Sequence, residues 1–192
     1  MIIGIIDCGG ANLNSIYYSF KRLGINTVIS NSKNELSGLD AYVLPGVGSA
    51  NAVMQCLRDK SLIDFIKNIT KPVLGICIGM QIMYEYSEEG DTQCLGIIDG
   101  KIKKFKSDKS LTVPQMGWNK LVCNDDLKSL NGHYYYANSF YTDSTDSAMG
   151  YTEYGVNYTS LVKKNNFIGC QFHPEKSSVS GEKFLQYFLT TA

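Results

Sequence analysis

Lys71-Pro72-Val73-Leu74-Gly75-Ile76-Cys77-Ile78-Gly79-Met80-Gln81 reads as a strand that turns abruptly into a helix, with a cysteine at the corner and a glycine two residues to either side. The uninterrupted apolar run Val73 to Ile76 suits a strand buried on both faces. A side chain displayed on so sharp a corner sits in a strained backbone conformation, and the closely passing strand and helix leave room only for small flanking residues. The corner also sets the Cys77 sulfur at the positive end of a helix, which favours the thiolate, the form that attacks carbonyl carbon. Composition rarely produces this pattern: with 18 glycines in 192 residues, a given cysteine has glycine on both flanks only about 1% of the time.

Outward from this corner the same kind of apolar run recurs at Ile2 to Ile6, Thr27 to Ser30 and Ala41 to Leu44. Helical patterns lie between them. Ile16, Tyr17, Phe20 and Leu23 fall at helical spacing, with Asn14 as N-cap and Gly24 after the last turn, and the stretch from Ala50 to Ile69 reads as two helices. This rhythm predicts an α/β fold with a mostly parallel central sheet, helices on both faces and right-handed crossovers. From Gly100 onward the texture changes to short alternating stretches, Lys101 to Phe105, Tyr134 to Ala137, Tyr158 to Val162 and Phe167 to Phe172. These predict antiparallel strands added to the sheet, and Ser180 to Leu189 a closing helix. With 192 residues, 44% of them apolar, and no repeat or linker, residues 1–192 are expected to form one domain.

Charge narrows the choice of ligand. Eighteen basic residues balance eighteen acidic ones, so no long-range field draws the chain toward nucleic acid or an anionic membrane, and a small molecule is the expected substrate. The N-terminal run Ile2 to Ile6 is too short for an export signal or a bilayer span, so a cytoplasmic protein is expected. Six cysteines without a Cys-x-x-Cys pair, and only two histidines, argue against a zinc site or disulfide framework. No cofactor is called for.

A cysteine nucleophile needs a base steadied by a third group. His173 lies in Gln171-Phe172-His173-Pro174-Glu175-Lys176-Ser177, directly after an apolar strand. If Pro174 keeps the chain extended, residues 173 and 175 project to one side and the Glu175 carboxylate can fix the tautomer of the His173 ring. His133 reads as a turn residue at the start of a strand, without a role. An acyl intermediate also needs backbone donors for its oxyanion. One is the Ile78 amide at the helix start. The glycine-rich loop Leu44-Pro45-Gly46-Val47-Gly48-Ser49, leaving the preceding strand on the same sheet edge, offers a second at Val47 or Gly48, and its glycines would let the Val47 peptide flip.

With Pro45-Gly46-Val47-Gly48, Gly75-Ile76-Cys77-Ile78-Gly79-Met80-Gln81 and His173-Pro174-Glu175-Lys176-Ser177 in this order, the chain resembles the class I, triad-type glutamine amidotransferases, whose fold is flavodoxin-like. Within them it is most similar to the glutaminase subunits of imidazole glycerol phosphate synthases. Ile5-Ile6-Asp7, Pro114-Gln115-Met116-Gly117-Trp118-Asn119 and Asn138-Ser139-Phe140-Tyr141 extend the resemblance over essentially the whole chain. It implies that Cys77 attacks the glutamine side-chain amide to form a thioester, that His173 shuttles the proton and that Glu175 orients His173. Gln81, Glu89, Ser139 and Phe140 would hold the glutamine. It also implies a heterodimer in which a separate (β/α)8-barrel synthase subunit receives the ammonia for histidine biosynthesis. Three places depart from the usual pattern: Cys8-Gly9-Gly10-Ala11-Asn12 replaces an aromatic residue followed by Gly-Met-Gly-Asn, and Gln115 and Asn138 stand where histidine is common. None belongs to the triad, so the departures bear on the acceptor, for which amidino-sugar or amide formation in surface polysaccharide synthesis is the alternative. A cysteine peptidase on the same corner is disfavoured by Gln81 and Glu89, which suggest a closed pocket for a free amino acid.

Overall fold

The computed structural model describes residues 1–9, 13–46, 48–106, 111–143 and 145–191. The N-terminal half alternates strand and helix: β1 (Ile2–Ile6), α1 (Leu13–Arg22), β2 (Asn26–Ser30), α2 (Lys33–Leu36), β3 (Ala41–Leu44), α3 (Ala50–Asp59), α4 (Ile63–Lys67), β4 (Val73–Ile76) and α5 (Ile78–Gln81). The strands follow the apolar runs, and every residue of β3 and β4 is buried, as expected for strands covered on both faces. Asn14 is no cap, because it is already inside α1. Gly24 does follow that helix with φ +75°, and Ser49 caps α3 through the Ala52 N–H.

The remainder runs β5 (Tyr86–Ser87), β6 (Thr92–Gln93), β7 (Lys101–Lys104), β8 (Gln115–Cys123), β9 (Gly132–Asn138), β10 (Phe140–Tyr141), β11 (Ala148–Tyr154), β12 (Val156–Lys164), β13 (Phe167–Cys170) and α6 (Ser178–Thr190), with short 3-10 turns at Asp125–Leu130 and Pro174–Lys176. Among the described residues nine strands form one sheet in the order β2-β1-β3-β4-β13-β12-β11-β8-β9. The first five are mutually parallel and the last four antiparallel additions.

Two expectations about the C-terminal half are corrected. The stretch Lys101 to Phe105 does not extend the main sheet; β7 pairs with β10 and β5 in a separate four-stranded sheet, β10-β7-β5-β6. The stretch Phe167 to Phe172 is not simply one more antiparallel addition. Its strand β13 pairs antiparallel with β12 but lies parallel to β4, at the centre of the sheet. All four residues of β13 are buried, and that unbroken apolar character is what a strand inserted between two others requires.

This insertion positions the chemistry. Because β13 lies in register with β4, Gly169 opposite Gly75 and Cys170 opposite Ile76, the chain leaving β13 emerges beside the chain leaving β4. The Cys77 N–H still donates to the Cys170 carbonyl at 2.7 Å. Helix α6 then packs back onto this edge through Phe184, which meets Phe172 edge to face at 5.0 Å, and Phe188, which meets Phe20 of α1. Gly181 makes the approach possible: a Cβ there would stand 1.9 Å from the Pro174 carbonyl oxygen. Among the described residues no helix is long and apolar enough to cross a membrane.

Candidate active site

Cys77 sits at φ +51° and ψ −108°, a conformation costly for any residue with a Cβ and held only by dense surroundings. Those surroundings are backbone. A Cβ on Gly75 would lie 2.6 Å from the Gly79 carbonyl oxygen, one on Gly79 2.0 Å from the Leu44 oxygen, and one on Gly46 2.2 Å from the Ile76 oxygen. Glycine is therefore required on both flanks by close approach, as the sequence predicts. The helix expected after the corner is a single turn of four residues, so little macrodipole stands behind the sulfur; what it supplies is the Ile78 N–H, a first-turn donor with no intrahelical acceptor.

His173 follows β13 with its backbone pinned to β9. Its N–H donates to the Tyr135 carbonyl at 2.8 Å, while the Ser177 hydroxyl donates to the His173 carbonyl at 2.6 Å and accepts from the Tyr135 N–H at 2.9 Å. Nδ1 of the ring meets Oε1 of Glu175 at 2.8 Å, and the Cys77 sulfur is near enough to act on the ring electrostatically. The Glu175 contact is made differently from the extended geometry expected. Pro174 opens a 3-10 turn, Pro174–Lys176, and the carboxylate reaches the ring from that turn. The Glu175 side chain is only 2% exposed. Burial would pull the imidazole pKa down, but the Cys77 sulfur and the Glu175 carboxylate outweigh it and push the pKa up to about 10. Both neighbours favour the protonated form of the ring.

These groups open into a cavity of about 380 Å³ at the carboxyl ends of β3, β4 and β13, where ligands of open α/β sheets collect. Gly48, Ile78, Gln81, Glu89, Ser139 and Phe140 all line it beside Cys77 and His173. Gly48 has φ +99°, a value that favours glycine. Val47 lies outside the described residues. Gln81 donates to the Phe140 carbonyl at 3.2 Å and its own Oε1 is buried without a partner, an acceptor waiting for a donor. Glu89, which also lines the pocket, accepts at Oε2 from the Ala50 N–H at 2.7 Å, at the start of α3.

Sequence reasoning missed two contributors. Gln171 puts its amide nitrogen 3.5 Å from the Cys77 sulfur and Ser177 locks the His173 backbone to β9. Both stand within two to four residues of His173, yet nothing in spacing alone says that a glutamine inside an apolar strand end turns toward the corner of another strand. All six cysteines are free thiols, and no cluster of three or more potential metal ligands occurs among the described residues.

A strained cysteine at a strand corner, an imidazole bonded to a buried carboxylate in the same pocket, and backbone donors around it form a constellation for acyl transfer from an amide. The chain belongs to the class-I glutamine amidotransferase family, which it matches over residues 4–192. Among its relatives is the imidazole glycerol phosphate synthase subunit HisH of Haemophilus influenzae, 44% identical over 192 residues that cover 97% of this chain and 96% of that protein. The subunit HisH 2 of Campylobacter jejuni is 42% identical, covering 98% of each chain. In fold the chain is similar to a crystal structure of a glutamine amidotransferase with a TM-score of 0.80 at 17% identity, covering 100% of this chain and 98% of the other.

Proposed function

We propose that this chain is the glutaminase subunit of an imidazole glycerol phosphate synthase, hydrolysing glutamine to glutamate and ammonia for a separate (β/α)8-barrel subunit. The observation that carries the reading is the contact series Cys77, His173, Glu175, with its 2.8 Å ion pair, at the floor of a pocket suited to one amino acid. Cys77 attacks the side-chain carbonyl carbon of glutamine. His173 gives its proton to the departing ammonia and takes one back from the water that cleaves the thioester, while Glu175 holds the ring. The Ile78 and Gly48 amides stabilise the oxyanion, the free Gln81 Oε1 accepts from the substrate, and Glu89 Oε1 faces its ammonium group.

A docking face for the barrel subunit lies next to the pocket. On β8, Met116, Trp118 and Val122 are 66%, 55% and 47% exposed along one side, Trp118 packs edge to face on Tyr135, and Met116 also lines the pocket. Exposed aromatic and methionine side chains at a pocket mouth suit a partner that covers it. Ammonia is mostly protonated near neutral pH and the protonated form is no nucleophile, so covered delivery matters.

The test is to combine the chain with the barrel subunit of the histidine pathway and with one serving a nucleotide-linked sugar, and to ask which substrate raises glutamine turnover. Stimulation by the histidine-pathway nucleotide supports the proposal; stimulation by the sugar substrate alone overturns the assigned acceptor.

A further inference from the structure

Resting on the glutaminase reading, the geometry points to Gln171 as a positioning residue for the nucleophile. It is 1% exposed and does not line the pocket, so it holds no substrate. Its Nε2 lies 3.5 Å from the Cys77 sulfur, and its Oε1 accepts from Gln81 Nε2 at 2.8 Å.

The orientation of both amides follows from one group that can only accept. The Phe140 carbonyl oxygen lies 3.2 Å from the Gln81 amide, so the Gln81 atom facing it must be nitrogen. That nitrogen spends its second hydrogen on Gln171, so Gln171 presents oxygen to Gln81 and nitrogen to the sulfur. The polar neighbours of the sulfur thus divide by chemistry. The Ala137 carbonyl at 3.9 Å can only receive a proton from a thiol, whereas Gln171 donates toward the sulfur and so favours one carrying negative charge. Gln171 is the donor that keeps its place after His173 has given its proton away.

The same chain reaches the substrate. Gln81 lines the pocket, and its Oε1 is buried without a partner. A ligand that bonds this oxygen holds the Gln81 amide plane, the plane holds Gln171, and Gln171 holds the sulfur in line for attack. Glutamine binding is thereby coupled to placement of the nucleophile through two neutral amides.

The experiment uses the full chain with Gln171→Met, which keeps the length of the side chain and removes its donor, and with Gln171→Glu. Folding is checked by thermal unfolding. Loss of one hydrogen bond to a charged group should lower kcat by roughly 10-fold or more with KM for glutamine within about twofold. Gln171→Glu should be worse near pH 8, where its carboxylate faces the sulfur. It should recover relative to wild type as pH falls, because burial beside the sulfur favours the protonated carboxyl, which can donate. A folded Gln171→Met with wild-type kcat, or a Gln171→Glu whose ratio to wild type ignores pH, overturns the positioning role. All variants are assayed with the barrel subunit and its substrate present; if wild type then fails to hydrolyse glutamine, it is the glutaminase reading that falls.

Discussion

Gly79→Ala is the sharpest perturbation of the corner, because the added methyl points into backbone and not into a side chain that could swing away. It would stand 2.0 Å from the Leu44 carbonyl oxygen, 2.7 Å from its carbonyl carbon and 3.1 Å from its Cβ. Ordinary carbon to oxygen contacts are above about 3 Å, so β3 and the turn after Cys77 must separate by roughly 1 Å in an interior packed like a crystal. The cost sits at or above the upper end for overpacking, about 3 kcal/mol, which for a chain of this size lowers the melting temperature by roughly 6–12 °C. Leu44 leads directly into the Pro45-Gly46 loop, where a Cβ on Gly46 would stand 2.2 Å from the Ile76 oxygen, so the proposed oxyanion donors shift as well and glutamine turnover falls with stability. Melting followed by circular dichroism, alongside Gly132→Ala as control, measures this. At Gly132 the nearest atom is the Ser180 hydroxyl at 3.1 Å, which can rotate. A Gly79→Ala variant melting within about 2 °C of wild type, with unchanged turnover, would refute the close packing on which the corner depends.

Other perturbations test other parts of the site. Cys77→Gly should be more stable than Cys77→Ala by about 1 kcal/mol, because only glycine relieves the strain at φ +51°; equal stabilities would mean that no strain is stored there. The folded-state pKa of His173, about 10, lies above its unfolded value near 6.5. The stabilisation from its proton is therefore complete below about pH 6.5 and is lost as pH rises through about 10. The stability gap between wild type and His173→Gln should close across that window in thermal melts, and a gap independent of pH would remove the proton from the account. Glu175→Gln should slow turnover by at least about 10-fold and bring the His173 pKa down, readable by NMR titration; an unchanged rate would remove Glu175 from the mechanism. Glu89→Gln should raise KM for glutamine by roughly 10-fold and weaken the start of α3, where Ala50 loses a charged acceptor. An unchanged KM would take Glu89 out of the pocket.

Sequence carried the parallel half of the fold almost to the residue, since β1, β3 and β4 begin and end where their apolar runs do. Those strands are buried on both faces, and burial leaves its mark directly on composition. The corner was legible for the same reason: two glycines and a cysteine at fixed spacing record a close approach that only glycine permits. Where sequence misled, the missing information was long-range pairing. Lys101 to Lys104 looks like any other short alternating strand, and nothing local says that it joins Phe140 and Tyr141 in a second sheet. The insertion of β13 beside β4 is likewise set by tertiary packing, although Phe167-Ile168-Gly169-Cys170 was too uniformly apolar for an outer strand. The His173 and Glu175 contact was anticipated with the wrong backbone, because Pro174 is as well suited to opening a 3-10 turn as to holding an extended chain. Gln171 escaped notice because its partners lie 90 and 94 residues away.

The most direct test treats the protein with a diazo-ketone analogue of glutamine and maps the adduct by mass spectrometry. A thiol beside the imidazole in the pocket proposed for glutamine should yield one adduct, on Cys77 alone among the six free cysteines, and should yield none in His173→Gln. Modification spread over several cysteines, or an unmodified Cys77, would contradict the claim that this sulfur is the nucleophile.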